Sequence, residues 1–523
     1  MVSRNGHVRF INPRSPFPLV GLALRTSAYL RPLASAIVII SFLLMAAGSA
    51  TTYQVSSNLQ AAINAAQPGD TILVAPGTYG KIFVPKSLNL IGEGALIKPS
   101  EHEIGIEIRA DKVNVSGFTV RGGLYGIHLV ESDGCAIFSN TVTGCEQWGI
   151  GLIFSDRNAI KGNVASFNGL GGEGWYGIYL SNSNENLIEE NVANDNGEYG
   201  VCMFPSCSEN VIIENVMERN DYGIYMFTGC AGNRIESNEL SENKNSGLKM
   251  MHDCVDNLIL NNTVARNDVA GVFLDLGSKK NVIQNNEIIN NCGSGGVTFG
   301  IQMQEGSGNN IIVQNNITGS QKGIFVTTDG NHIYNNWIFE NVIQAEDRGV
   351  NKWWDAYPVG GNFWGDYGGK DEMGGPAQNA TGCDGFGDDP YWIDEKGLVR
   401  DRFPIMGPSS LPLTLIDWTV FPARAQVGDQ IEVEVSLDSK YGVASISARV
   451  HNILKPSGYN PLIRMTMASE DIYKGSLQTA VMDSGRYEIV LTAKDIRGNE
   501  IEESLGELEL LPRSGWNINS AIS

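Results

Sequence analysis

Short apolar runs alternate with Gly, Asn and Ser along most of the chain, and this pattern repeats at a nearly constant interval. A glycine followed by an apolar residue marks each repeat, at Gly105, Gly126, Gly149, Gly177, Gly200, Gly223, Gly247, Gly271, Gly300 and Gly323. The separations are 21, 23, 28, 23, 23, 24, 24, 29 and 23 residues. Such a period is typical of a solenoid in which each repeat forms one coil, and the two longest intervals indicate insertions into single coils.

A second mark, asparagine, keeps the same register. One set is Asn158, Asn186, Asn210, Asn233, Asn257, Asn281, Asn310 and Asn331, and a second set follows five residues later at Asn163, Asn191, Asn215, Asn238, Asn262, Asn286, Asn315 and Asn336. The short Val/Ile runs between these turn residues favour strands over helices. Asparagine tolerates left-handed backbone, and stacked copies can hydrogen-bond their amides from coil to coil. We therefore expect these residues to hold turns and not to bind a ligand.

The repeat predicts an all-β protein whose main body, residues 51–345, is a right-handed parallel β-helix. A segment rich in Gly, Asp and Trp, residues 346–408, would cap it. Residues 411–512 contain alternating strands such as QIEVEVSLD and RYEIVLTAKD, which predict a small β-sandwich, and residues 513–523 form a tail. The stretch SGRYEIVLTAKDIRGN resembles the last hairpin of immunoglobulin-like domains, for which about 100 residues is the usual size.

The N-terminal residues, 1–50, carry five arginines and no acidic residue, and an apolar run at 33–47 is followed by Gly48, Ser49 and Ala50. This order predicts a signal peptide with cleavage after Ala50, the alternative being an uncleaved membrane anchor. We expect an extracytoplasmic monomer that is secreted, periplasmic or held at the cell surface, with membrane contact only through this segment. The formal net charge of -21 argues against nucleic-acid binding.

The repeats resemble those of a known group of β-helix proteins. The units TTYQVSSNLQAAINAAQPGDTILVAPGTYG and GIYLSNSNENLIEENVANDNGEYG look like right-handed parallel β-helix repeats, and more narrowly like those of the NosD-like group, named for a periplasmic protein linked to copper delivery. The stretches GGNFWGDYGG, CDGFGDDPYWID and DRFPIM are similar to the tail that ends such helices. The resemblance covers residues 51–408 and implies the fold. It does not imply one activity, because this repeat supports lyases, hydrolases, epimerases and adhesins.

The resemblance raises copper as a metal, and sulfur-bearing side chains do cluster in three neighbouring coils. They are Cys202, Met203, Cys207, Met226, Cys230, Met250, Met251 and Cys254, together with His252. Soft ligands suit Cu(I). However, Met203, Met226 and Met250 stand where other coils place leucine, so we expect them to fill the core. The register therefore argues against copper, and a periplasmic copper-handling protein of the NosD type stays the second alternative function.

Three of these cysteines, Cys207, Cys230 and Cys254, occupy one position of successive coils. Adjacent coils place such residues about 5 Å apart, which is within the range of a disulfide. An exported protein meets an oxidising compartment. We therefore expect the three to stack, with one pair able to bond.

Acidic residues crowd the capping segment at Asp366, Asp371, Asp384, Asp388 and Asp389. Oxygen ligands on a tight loop suit calcium, so Asp384, Asp388 and Asp389 are candidate ligands. The alternative is a solvated acidic tail.

No catalytic set is recognisable. Single candidates are Asp221, Lys249, Asp253, Asp256, Asp275 and Lys279, but they form neither the paired carboxylates of glycosidases nor a known lyase motif. A polysaccharide lyase, hydrolase or epimerase therefore stays an alternative, with its catalytic residues unknown.

The position two residues after each coil glycine predicts a binding surface. It is occupied by His128, Tyr179, Cys202, Tyr225, Lys249, Phe273, Gln302 and Phe325. Because strand side chains alternate, this position faces outward if the residue after the glycine faces inward. We expect Tyr179, Tyr225, Phe273 and Phe325 to form a platform for the sugar rings of a polysaccharide or cell-surface glycan. The alternative is a covering loop, since the two longest coils carry insertions.

Overall fold

The computed structural model describes residues 50–169, 175–394, 398–406, 413–438, 443–453, 461–469, 472–479, 482, 484–495 and 500–512. The N-terminal signal peptide or anchor, apart from Ala50, and the tail at 513–523 lie outside these residues. Within the described chain, no helix is long and apolar enough to cross a bilayer.

The body of the protein is a parallel β-helix, in which each coil contributes strands to stacked parallel sheets. The first sheet has 13 strands, at Thr52–Val55, Thr71–Val74, Asn89–Gly92, Asn114–Ser116, Ala136–Phe138, Ala159–Lys161, Leu187–Glu189, Val211–Ile213, Arg234–Glu236, Leu258–Leu260, Val282–Gln284, Ile311–Val313 and His332–Tyr334. The second has 12 strands, at Ile82–Val84, Ile104–Ile108, Tyr125–Val130, Trp148–Ile153, Tyr176–Ser181, Tyr199–Met203, Tyr222–Phe227, Ser246–Met251, Ala270–Leu274, Phe299–Met303, Lys322–Val326 and Ile343–Asp347. This 12-stranded sheet carries the candidate site.

A third face is divided into two sheets joined through isolated bridges at Val192. Its five-stranded part contains Gly77–Tyr79, Ala95–Ile97, Thr119–Arg121, Thr141–Thr143 and Val164–Ala165, and its seven-stranded part contains Val216–Glu218, Glu239–Ser241, Thr263–Ala265, Glu287–Ile289, Asn316–Thr318, Trp337–Phe339 and Phe363–Trp364. A short α-helix, Leu59–Ala65, packs on the first coil by burying Leu59 and Ile63. The inward side chains form one apolar core from Val55 to Trp364. The predicted parallel β-helix is thus confirmed.

The backbone explains the glycine period. A Cβ atom on Gly223 would lie 2.5 Å from the carbonyl oxygen of Gly247, and a Cβ on Gly126 would lie 2.5 Å from the carbonyl oxygen of Gly149. The same close approach recurs between the marking glycines of successive coils. Any side chain at this position would collide with the next coil, so each coil needs glycine there.

Both predicted asparagine columns are present as hydrogen-bonded ladders. In the first, Asn158 donates from its backbone N to Asn186 Oδ1 at 2.8 Å and from Nδ2 to the same oxygen at 3.1 Å. A third ladder, which the sequence analysis did not identify, comprises Asn168, Asn196, Asn220, Asn243, Asn267 and Asn291. These side chains are buried and satisfy backbone groups of neighbouring coils, which is the structural use expected of them.

The capping segment closes the C-terminal end of the helix. It contains two short antiparallel hairpins, Met373–Gly374 with Ala380–Thr381 and Tyr391–Trp392 with Arg400–Asp401. The fully buried Asp401 accepts hydrogen bonds from the backbone N of Asn362 at 2.6 Å and from Trp364 Nε1 at 2.9 Å. Asn362 itself ends an asparagine ladder, because its Oδ1 accepts from Asn336. The NFW and DRF stretches therefore act together as the last coil.

The C-terminal region forms two sheets around a core of its own. One has four strands, Thr414–Phe421, Gln430–Asp438, Ile472–Gln478 and Thr466–Ser469, and the other has five, Arg424–Gln426, Glu500–Leu511, Gly485–Asp495, Val443–Asn452 and Leu462–Arg464. This arrangement is sandwich-like. Arg464 donates to Ser237 O at 2.8 Å, and Arg449 lies 3.9 Å from Glu239. These contacts lie against the first and third faces of the helix and leave the 12-stranded sheet on another side.

Candidate functional site

The outer face of the 12-stranded sheet contains the four aromatic residues singled out from the sequence. Strand pairing places them in one row, which we call row 1, with the order Glu107, His128, Gly151, Tyr179, Cys202, Tyr225, Lys249, Phe273, Gln302, Phe325 and Glu346. Tyr179 and Tyr225 are half-buried. The shared register of the four residues is therefore as expected.

The exposure of the two phenylalanines differs from the expectation of a solvent-facing platform. Phe273 and Phe325 are each only 8% exposed. The Lys249 ammonium lies 4.6 Å from the centroid of the Phe273 ring, and the Lys322 ammonium lies 4.6 Å from that of Phe325. Arg348 also approaches the Phe325 ring, at 5.1 Å. Cations from the same coil, at Lys322, and from neighbouring coils, at Lys249 and Arg348, thus cover these rings, a favourable arrangement for an aromatic face.

A second aromatic row, which we did not predict from the sequence, lies beside the first. It is formed by the residue immediately before the coil glycine, at Tyr125, Trp148, Tyr176, Tyr199 and Tyr222. Strict alternation from the inward Ile224 would place Tyr222 inside. Instead, Gly223, Ile224 and Met226 of the strand Tyr222–Phe227 are buried, whereas Tyr222, Tyr225 and Phe227 are half-buried. Gly223 and Ile224 are both buried, so Tyr222 and Tyr225 emerge on the same side.

Aromatic residues of the two rows, together with Phe227 beside Tyr225, form one continuous surface. We call it the aromatic face, and its members are Tyr125, Trp148, Tyr176, Tyr179, Tyr199, Tyr222, Tyr225 and Phe227. Along the second row, Tyr125 stacks on Trp148 with centroids 3.6 Å apart and an interplanar angle of 4°. Tyr176 and Tyr199 are 5.2 Å apart, and Tyr199 and Tyr222 are 5.5 Å apart. Between rows, Tyr176 contacts Tyr179 at 4.7 Å and Tyr222 contacts Tyr225 at 5.2 Å. The rings therefore form an unbroken series of contacts over five coils.

The phenol groups of this face are neutral at ordinary pH. Burial raises the pKa of Tyr176, Tyr179, Tyr199, Tyr222 and Tyr225. Two of the hydroxyls are engaged at the edge of the face, because Tyr179 donates to Phe204 O at 3.0 Å and Tyr225 donates to Met251 Sδ at 3.3 Å. The face thus combines apolar ring surfaces with neutral hydroxyl groups.

One end of the face contains buried polar atoms without partners. His128 is 6% exposed, its ring lies 5.0 Å from Tyr125 and 5.5 Å from Trp148, and both of its ring nitrogens lack a hydrogen-bond partner. Burial lowers the pKa of His128 to about 4, so the imidazole is neutral. The indole N–H of Trp148 is also unpartnered.

Most of the sulfur-bearing residues are buried in the helix core. Met203, Met226 and Met250 are fully buried in the core, as the register indicated. Cys207, Cys230 and Cys254 are fully buried, and isolated parallel bridges between the residues that follow them place them at one position of successive coils. Their thiols donate to backbone carbonyls at 3.2–3.4 Å. Across the described ranges, no group of three or more His, Cys, Asp or Glu side chains converges as a metal site would require.

The stacked cysteines are free thiols in the structure, like the other five cysteines of the chain. A disulfide between two of them stays a prediction.

The aspartates of the capping segment bind the loop backbone. Asp384 accepts from Gly375 N at 2.8 Å and from Gln378 Nε2 at 2.9 Å. Asp388 accepts from the backbone N atoms of Glu372 and Met373, both at 3.0 Å. At Asp389, the backbone carbonyl accepts from the hydroxyl of Tyr367 at 2.6 Å. The carboxylates of Asp384 and Asp388 thus hold turns, and calcium binding by the three residues stays a prediction.

The single catalytic candidates do not assemble into a set. Asp221 pairs with Lys244 at 3.0 Å. Asp253, Asp256 and Lys279 are exposed. Lys249 lies beside the aromatic face, with its ammonium 5.6 Å from the centroid of the Tyr222 ring, and no catalytic role is assigned to it or to Asp275.

Comparison with known proteins identifies the family. The family described as periplasmic copper-binding protein (NosD) matches residues 63–249 and 228–369. A cell surface glycoprotein of Methanothermus fervidus is 38% identical over 89 residues, which is 16% of this chain and 15% of that protein. The chain thus matches only a small part of the length of this relative.

Two solved structures are similar to this chain over most of their own length. The A-module of a mannuronan C-5 epimerase of Azotobacter vinelandii has 17% sequence identity and a TM-score of 0.38, covering 60% of this chain and 94% of that one. An alginate lyase of a Paenibacillus species has 16% identity and a TM-score of 0.36, covering 60% and 98%. Both likenesses are too distant to carry an argument about activity. The family match, in contrast, spans residues 63–369 of a 523-residue chain, and the chain therefore belongs to the NosD family.

Proposed function

We propose that this protein works outside the cytoplasm, at the cell surface, and binds a carbohydrate polymer on its aromatic face. One observation carries the proposal, namely the unbroken contact of rings from Tyr125 to Phe227 on a single face. Aromatic faces suit the apolar faces of sugar rings, and tyrosine adds a hydroxyl for hydrogen bonding. A soluble protein rarely leaves such a surface without a partner.

The geometry favours an extended polymer. The rows run from coil to coil, and adjacent strands repeat at about 4.8 Å. This repeat is close to the length of one sugar residue in an extended chain. A polysaccharide lying along the helix axis would therefore meet one aromatic residue of the second row at each coil from Tyr125 to Tyr222, with a second ring beside it at Tyr179 and Tyr225.

The position of the C-terminal region supports this use of the face. Arg449 and Arg464 contact Glu239 and Ser237, so this region lies away from the 12-stranded sheet. The surface location is supported by the similarity to a cell surface glycoprotein and by the periplasmic description of the family. Binding of nucleic acid is disfavoured by the net charge of -21.

The test is retention on insoluble or gel-embedded glycans, using xylan, mannan, cellulose, alginate and polygalacturonate. The variant Tyr199→Ala/Tyr222→Ala removes two stacked rings. We expect it to bind at least about tenfold more weakly than the parent, a change of about 1.4 kcal/mol. Tyr334→Ala is the matched control, because Tyr334 is a half-buried tyrosine on the 13-stranded sheet. Equal retention of parent and double variant on every glycan that the parent binds would refute the proposal.

A further inference from the structure

Lys249 is a cation set into the aromatic environment of row 1. Strand pairing places it between Tyr225 and Phe273. Its ammonium lies 4.6 Å from the centroid of the Phe273 ring and 5.6 Å from that of Tyr222. The side chain is half-buried. The charge is therefore held against the rings on which, under the proposed function, a sugar would rest.

The charge of Lys249 lacks an ionic partner among the described residues. Other charged residues of row 1 are paired, since Glu107 binds Arg109 at 2.6 Å and Glu346 binds Arg348 at 2.6 Å. Lys249 makes neither an ion pair nor a hydrogen bond within the described part of the chain. Among the described residues, its ammonium group lies over the rings of Phe273 and Tyr222 and has no polar partner, so part of its hydration is lost without full replacement.

Asp275 acts on Lys249 electrostatically but does not form an ion pair with it. Asp275 is 7% exposed, and its carboxylate accepts from the backbone N of Leu276 at 2.9 Å. Burial lowers the pKa of Lys249, while the negative charge of Asp275 acts in the opposite direction. A partly buried cation gains most from an added anion, because charge-assisted hydrogen bonds replace the lost water.

We propose that Lys249 recognises the carboxylate of a uronic acid residue in a polysaccharide whose neighbouring sugars stack on the aromatic face. This assignment rests on the proposed function and specifies its ligand. The anionic sugars would be sparse along the polymer. A net charge of -21 repels a densely charged polyanion, whereas one cation at the end of the aromatic face, beside Tyr222, accommodates one carboxylate at a time.

The probe is glucuronoxylan, a largely neutral chain with scattered glucuronate, compared with the same polymer after its carboxyl groups have been reduced to alcohols. Affinity electrophoresis of the full-length protein at low salt would measure both dissociation constants. We expect the parent to bind the carboxylate form about tenfold more tightly than the reduced form, and this preference to fall as salt screens the charge.

The variant Lys249→Met removes the charge and keeps an unbranched apolar stem. We expect it to bind both polymers with the affinity that the parent shows for the reduced form. Lys322→Met is the matched control, because Lys322 also lies over a phenylalanine of this sheet but is paired with Glu346. It should keep the preference of the parent.

Each other outcome has a distinct meaning. If Lys249→Met weakens binding to both polymers equally, Lys249 has a packing role and the assignment is overturned. The proposal of carbohydrate binding would not be affected by that result. A parent without preference would overturn it as well. Dependence on Lys249 for a sulfated xylan and not for glucuronoxylan would overturn the assignment to carboxylates. Failure of the parent to bind either form would overturn this assignment, and failure on the wider glycan panel would refute the proposed function itself.

Discussion

The asparagine ladders should be a main source of stability, and Asn238 in the middle of one is the sharpest place to test this. Asn238 is 1% exposed. Its Oδ1 accepts from the backbone N of Asn215 at 2.9 Å and from Asn215 Nδ2 at 3.0 Å. Its Nδ2 donates to Ile212 O at 2.9 Å and to Asn262 Oδ1 at 3.0 Å. One side chain thus links three consecutive coils.

The substitution Asn238→Ala removes these bonds and leaves buried polar groups behind. The backbone N–H of Asn215 loses its acceptor, and the carbonyl of Ile212 loses a donor. Each buried group left without a partner costs about 1–3 kcal/mol. We therefore expect the free energy of unfolding to fall by about 2–6 kcal/mol.

Urea unfolding followed by circular dichroism measures the total loss, and hydrogen exchange measures where it occurs. Because each coil of a solenoid contacts only its neighbours, faster exchange should be confined to the coils next to Asn238. Asn64→Ala is the control, since Asn64 is exposed and its side chain accepts a surface hydrogen bond from Gln60. It should change stability by less than about 0.5 kcal/mol. A loss below about 1 kcal/mol for Asn238→Ala would refute the argument from buried partners.

Two further predictions concern buried titratable groups. Burial raises the pKa of Asp401 to about 7. Between about pH 4 and pH 7 the folded protein therefore holds a proton that the unfolded chain has released. The contribution of this group to the free energy of unfolding falls as the pH rises through that range. The free energy of unfolding of the parent minus that of Asp401→Asn should decline as the pH rises over that range. A difference that does not change with pH would contradict the raised pKa of Asp401. For the cysteines, we expect Ellman's reagent to label Cys292 and Cys383 in the native protein, because the other six are buried. Protein purified from an oxidising compartment should show six reactive thiols in denaturant if two stacked cysteines have bonded, whereas eight would contradict the disulfide.

The sequence by itself determined the register of the β-helix. In a solenoid, residues one period apart become neighbours, so a repeat visible along the chain specifies contacts in space. The glycine at each coil is required by the approach of the next carbonyl, as at Gly223, and the asparagines are required by buried backbone groups, as at Asn158. Both constraints recur in every coil and therefore leave a periodic signal. The stacking of Cys207, Cys230 and Cys254 followed from the same period.

Only the tertiary structure decided which side chains the site presents. The alternation of strand residues breaks at the coil glycine, so Tyr222 lies outside although simple alternation placed it inside. Phe273 is shielded from solvent because the side chain of Lys249, on the neighbouring coil, lies over its ring. The sequence does not specify that direction of the lysine side chain. The carboxylates of Asp384 and Asp388 accept hydrogen bonds from backbone N–H groups of a non-repeating loop. The exposure of the rings and the partners of the aspartates depend on side-chain directions and on irregular backbone. The repeat of the sequence specifies neither of these.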